Sequence, residues 1–109
     1  MSALFELNKS SDEQYRFALK AADKTLLRSE GYTEKSSAQK GIASVQQNSG
    51  SDERYEKKES SNGKYYFNLK ARNGQVIGTS LMYGTEEELA AAMAATKEHG
   101  ATTTIQDNS

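Results

Sequence analysis

The chain has 109 residues, no cysteine, 14 Lys and Arg against 15 Asp and Glu, and a formal net charge of −1, a size that suits one domain around one core. The charge balance excludes a global field for nucleic acid or an anionic membrane, and the missing thiols exclude a disulfide framework or a thiolate metal site. Leu, Ile, Val and Phe make up only about 15% of the chain, close to disordered compositions, but the small net charge and six Tyr residues point to a packed core.

Met1, Ser2, Ala3, Leu4, Phe5 and Glu6 form neither the basic nor the apolar part of a secretory signal. No apolar run reaches bilayer length. The expectation is a soluble, cytoplasmic protein.

Chain order is governed by an internal repeat. Shifted by about fifty places, Tyr15, Phe17, Leu19, Lys20 and Ala21 fall on Tyr65, Phe67, Leu69, Lys70 and Ala71, with Phe5 on Tyr55 and Ser10 and Ser11 on Ser60 and Ser61. The match runs on from Leu26 and Leu27 to Val76 and Ile77. The offset then becomes about 51, carrying Ser29 to Ser80, Tyr32 to Tyr83, Ile42 to Met93 and Ala43 to Ala94. The spacing predicts one extra residue in the second copy near Gly78 and Thr79, accommodated by a bulge or loop.

Within each copy the period changes from two to 3.6. Tyr15, Phe17, Leu19 and Ala21 alternate with Arg16, Ala18 and Lys20, and the second copy repeats the alternation, so both are strands with one buried and one wet face. Asn62-Gly63 and Asn73-Gly74 flank the second such strand as hairpin turns. Ser11-Asp12-Glu13 and Ala22-Asp23-Lys24 are the weaker counterparts. Each copy therefore predicts a three-stranded meander. Apolar residues at helical spacing follow (Ala38, Gly41, Ile42, Val45; Leu89, Ala92, Met93), and predict helices over 33–47 and 85–98. Thr85 to Glu88 reads as a capping box, Lys97, His99 and Gly100 as a helix end. Gly41 inside a helix implies close approach to the sheet. Thr102 to Gln106 reads as a last strand. The segment from Glu53 to Glu59 closes the first copy and opens the second, giving repeats of about 4–52 and 53–107 inside one domain.

The motifs Tyr15-Arg16-Phe17-Ala18-Leu19-Lys20-Ala21, Ser29-Glu30-Gly31-Tyr32, Gly41-Ile42-Ala43-Ser44-Val45 and Tyr66-Phe67-Asn68-Leu69-Lys70-Ala71-Arg72-Asn73-Gly74 resemble the YegP-like family of uncharacterised bacterial proteins. The resemblance implies an α+β fold of two tandem β-β-β-α-β modules sharing one antiparallel sheet, with both helices on one face and the C-terminal strands exchanged. It implies a monomer whose repeats pair internally, where single-module relatives pair as dimers. The sequence departs from the family pattern at Ala22-Asp23-Lys24, Leu81-Met82 and Ala92-Met93. The family brings no catalytic residues with it.

Neither a nucleophile beside a base, a phosphate loop nor a metal motif is visible, so the expectation is a non-enzymatic protein without metal or cofactor. The one histidine, His99, reads as a helix-end cation. Glu86, Glu87 and Glu88 fan out around a first helical turn and do not converge. Glu30 reads as a strand-end residue. The leading functional expectation is a binding or interaction module, with a protein among the candidate partners. The alternative is single-stranded nucleic-acid binding through Arg16, Lys20, Lys64, Tyr66, Lys70 and Arg72, which share the face opposite the buried aromatics. A solvated sheet face with Lys as a guard against aggregation accounts for the same pattern, and Glu6 and Glu56 are expected near these cations.

Overall fold

The computed structural model describes residues 3–22 and 24–109. Met1 and Ser2 of the N-terminal reading, and Asp23 of the first weak turn, lie outside the described residues. The order is β1 (Ala3–Lys9), β2 (Tyr15–Ala21), β3 (Lys24–Arg28), α1 (Lys35–Asn48), a 3-10 turn (Asp52–Arg54), β4 (Tyr55–Glu59), β5 (Tyr65–Lys70), β6 (Val76–Thr79), α2 (Glu86–His99) and β7 (Ile105–Asp107). One seven-stranded sheet runs β4-β5-β6-β3-β2-β1-β7. Helices and strands fall within two residues of the predicted bounds wherever the alternation was clear.

Alternation decides which face is covered. Phe5, Leu7, Phe17, Leu19, Phe67 and Leu69 are all at most 2% exposed and form one cluster with Ile42, Val45 and Leu89 from the helices. Phe5 meets Phe17 edge-on at 6.0 Å, and Phe17 stacks on Tyr32 at 6.4 Å. Both helices thus sit on one face. The close approach expected at Gly41 is present: a Cβ there would stand 2.7 Å from the Phe17 ring and 2.9 Å from the Tyr32 hydroxyl. Ser29 and Ser80 repeat for a local reason. Each hydroxyl accepts the amide of a core phenylalanine (Phe17 N and Phe67 N, both 2.9 Å) and donates to the carbonyl of the residue after it.

The two copies meet at β3 and β6, where Arg28 pairs with Thr79. These residues are repeat equivalents, so a pseudo-twofold axis passes between them. Beside it, Leu27 fills the room left by its equivalent Gly78, at which a Cβ would stand 2.6 Å from Leu27 Cδ2. At the helix ends Ser49, fully buried, packs on its equivalent Gly100 in the same way.

The extra residue of the second copy is elsewhere than the spacing suggested. Leu19 pairs with Leu27 and Leu69 with Gly78, so the offset is already 51 in β6. Both copies bulge at the same point, at Leu26 and at Ile77. The insertion lies in the turn before β6: the Ala71 amide bonds to Gln75 O and Gly74 takes φ 85°, whereas the shorter first-copy turn puts Ala22 at φ 52°. A longer loop with a left-handed glycine replaces a tighter one.

A second difference concerns direction. Six strands are antiparallel as expected, but β7 runs parallel to β1. The chain leaving α1 arrives at the starting end of β4 and becomes that strand. The chain leaving α2 arrives likewise at the starting end of β1, where Thr102 Oγ1 donates to Ala3 O at 2.9 Å. That place is already filled, so β7 lies beside β1 and runs the same way. Each copy's post-helix strand ends in the other copy's half of the sheet, which is the exchange the resemblance implies.

Candidate functional site

The open sheet face carries Arg16, Lys20, Tyr66 and Lys70, as alternation predicts. Lys64 precedes β5 and Arg72 belongs to the turn after it, so both stand at strand ends, exposed. Register supplies what alternation does not show. Lys20 Nζ lies 3.1 Å from Glu6 on β1, Lys70 Nζ 3.0 Å from Glu56 on β4, and Arg16 Nη2 3.3 Å from Asp12. Hydrogen bonds from Ser10 and then Arg16 hold Asp12 at about 2, and bonds from Asn8 and Lys20 lower Glu6. Glu56 is lowered chiefly by Lys70. Three of the six predicted residues are therefore neutralised by carboxylates, and the face is a charge-balanced lattice around Tyr66 rather than a positive stripe.

Among the described residues, no three His, Asp or Glu side chains gather as metal ligands, and no helix is long and apolar enough to cross a membrane. His99 sits in the last turn of α2, 3.5 Å from Glu98. Glu86, Glu87 and Glu88 form the first turn, with Thr85 Oγ1 accepting the Glu88 amide at 3.1 Å. Glu30 is exposed just past β3.

The two outer edges of the sheet are unequal. On β1, the outer edge is covered. The Phe5 amide donates to Thr104 O, the Asn108 amide to Leu7 O (2.9 and 2.8 Å), and Asp107 pairs with Lys35 at 2.6 Å. Bonds from Lys35 and then Ser109 hold Asp107 at about 2. On β4, the equivalent edge has no strand beyond it. Tyr65 and Phe67 turn their backbone groups to the β6 side, bonding Tyr83 and Ser80. The alternation of an antiparallel ladder then gives β5 the groups of Glu56 and Lys58 and turns those of Tyr55, Lys57 and Glu59 outward. The Tyr55 amide is engaged by Asp52 O, which leaves its carbonyl and both groups of Lys57 facing out.

A cleft of about 230 Å³ runs beside this edge, lined by Lys57, Lys58, Glu59, Tyr65, Glu86 and Leu89. Repeat equivalence maps Lys57 onto Leu7, Glu86 onto Lys35 and Leu89 onto Ala38. The cleft is the counterpart of the place where β7 lies. The signal in the sequence was Lys57 standing where the first copy has the buried Leu7. Tyr55, in the place of Phe5, anchors the strand by donating its hydroxyl to Ser49 O at 2.6 Å, and burial with Asp52 nearby raises its pKa.

A larger groove, about 450 Å³, lies between the end of β3 and α2, with Leu26, Leu81, Ala91 and Ala95 in its walls. The first copy has Glu30, Lys40 and Ser44 where this groove has Leu81, Ala91 and Ala95.

Comparison with known proteins fits this architecture. The family model "Domain of unknown function (DUF1508)" matches residues 10–56 and again 60–107. The chain is 56% identical over 109 residues to the UPF0339 protein YegP of Escherichia coli K12, covering 99% of each chain. It is 48% identical over 108 residues to a UPF0339 protein of Acinetobacter baylyi, covering 98% of this chain and 97% of that one. The solution NMR structure of E. coli YegP, a protein of unknown function, superposes with a TM-score of 0.93 over 99% of this chain and 94% of that chain. That of a UPF0339 protein from Shewanella oneidensis, 48% identical, gives 0.92 over 98% of this chain and 92% of that one. With two tandem matches and full-length relatives at this identity, the chain belongs to the DUF1508 family, in its YegP-like, two-copy form.

Proposed function

We propose that this protein is a non-enzymatic, cytoplasmic interaction module, monomeric by itself, that binds a protein partner by strand addition at the outer edge of β4. The observation that carries the reading is the inequality of two equivalent edges: β1 is covered by β7, and β4 presents its outward backbone groups beside an open cleft. Main-chain hydrogen bonds supply affinity in such modes, and side-chain pockets supply selectivity. The absence of cysteine suits a reducing compartment, and the internal pairing of the repeats suits a monomer.

The test is capture of partners from nuclease-treated lysate of the protein's own cells, comparing the unmodified chain with Lys57→Pro. Proline removes an outward N–H and is tolerated on an edge strand, so the β4–β5 ladder is kept. Proteins retained by the first and lost by the second support the reading. Retention indifferent to Lys57→Pro, or abolished by nuclease, refutes it.

A further inference from the structure

The chain itself shows what occupies such an edge. Beside β1 lies an extended segment running parallel to it, with Ile105 opposite Phe5 and Asp107 opposite Leu7, and the Asp107 carboxylate reaches Lys35 at the start of α1. At the equivalent place beside β4 the first residue of the helix is Glu86, not Lys35. The cleft at this edge is lined by Lys57, Lys58, Glu59 and Glu86, two cations and two acids, and Lys58 is also 3.7 Å from Glu56.

Resting on the strand-addition reading, we infer that the β4 edge selects an extended segment carrying a basic side chain where β7 carries Asp107, with Glu86 as the residue that sets the selection. The segment runs parallel to β4, with an apolar residue over Tyr55 and the basic residue two places later. Lys57 lies across from that basic residue and, like Glu59 and Glu86, is exposed, so its long stem lets the ammonium swing clear of the incoming charge. A second copy's own C-terminal strand is disfavoured. Its Asp107 would lie beside Glu86, where at the β1 edge it pairs with Lys35, and so would exchange an ion pair for a like-charge contact.

Two synthetic seven-residue peptides test this on the full chain. One has the sequence of residues 103–109, Thr-Thr-Ile-Gln-Asp-Asn-Ser; the other replaces its Asp by Lys. Amide shifts are followed by NMR as each is titrated to about 1 mM, the range for weak short-peptide binding. The expected result is that the Lys peptide perturbs Tyr55, Lys57 and Glu59 amides and binds about two- to fivefold tighter than the Asp peptide, the span of one partly exposed ion pair. Glu86→Lys, a substitution at an exposed position, should reverse the order. Perturbation of β4 by both peptides with the same affinity, unchanged in Glu86→Lys, overturns the charge selection and leaves strand addition standing. Failure of both peptides to move β4 amides overturns the inference, and the Lys57→Pro capture then decides the broader reading separately.

Discussion

A double-mutant cycle at Leu27 and Gly78 tests whether the pseudo-twofold axis governs packing. A Cβ at Gly78 would stand 2.6, 2.7 and 3.2 Å from Leu27 Cδ2, Cγ and Cδ1, and Leu27 is fully buried, so its side chain has no free volume into which to swing. Gly78→Ala should therefore cost about 1–3 kcal/mol, the usual range for overpacking, although Ala ordinarily favours a strand over Gly by about 0.5–1 kcal/mol. Leu27→Ala alone should cost about 2–5 kcal/mol through lost burial and the cavity left behind. In the Leu27→Ala background the obstacle is gone and the new methyl enters the cavity, so Gly78→Ala should become neutral or favourable. The coupling is then about 1–3 kcal/mol or more, above the few tenths found for independent sites. Urea unfolding of the four proteins, with unchanged m-values, measures it. Equal costs of Gly78→Ala in both backgrounds would refute the reasoning.

Three other outcomes follow from the same architecture. Phe17→Ala and Phe67→Ala should each cost about 3–5 kcal/mol, since both rings are at most 2% exposed in a core with few large side chains; urea midpoints unchanged by either would place the rings outside the core. A chain ending at Gly50 should be unfolded or self-associated, because α1 packs on β5 and β6 as well as β2 and β3 loses its only outer neighbour; a monomer with dispersed amide shifts would contradict this. Asp107 is held at about 2 against an ordinary 3.8 by Lys35 and Ser109, a depressed folded pKa, so its contribution is present above about pH 4 and lost as pH falls towards 2. Protection of the Phe5 amide, which bonds to Thr104 O, relative to its intrinsic exchange rate should fall over that window more than protection of the Phe67 amide, and Lys35→Gln should remove the difference.

Duplication made the fold readable from the sequence. A single alternating run such as 15–21 is an ordinary strand signal, but its recurrence at 65–71 with a helical stripe after each copy fixes the supersecondary unit twice over. Where two equivalents compete for one space, similarity misleads. Leu26-Leu27 and Val76-Ile77 look alike as aliphatic pairs, yet the structure sets Leu27 against Gly78, because two leucines do not fit beside the axis. The direction of β7 was invisible since three residues carry no signature of their own, and the route of the preceding chain decides it. The basic face was legible by period alone. The nearness of Glu6 and Glu56 was legible too, but which cation each meets was not, because those carboxylates arrive from neighbouring strands whose register the alternation does not specify. The β4 edge did leave a trace, the replacement of Leu7 by Lys57 in an otherwise repeated apolar position.

A symmetric dimer of one such module must set the same side chain on both sides of its axis and offer two identical edges. Fusion into one chain lifts both constraints. Leu27 can then face Gly78, and Ser49 can face Gly100, each a large residue against a small one. The segment that follows its second helix covers β1. Nothing equivalent remains for β4, since the strand that follows α1 is β4 itself. The exposed edge is thus a direct consequence of linking two modules. The changes that set its selectivity, Leu7 to Lys57 and Lys35 to Glu86, are differences between copies that a symmetric dimer has no means to hold.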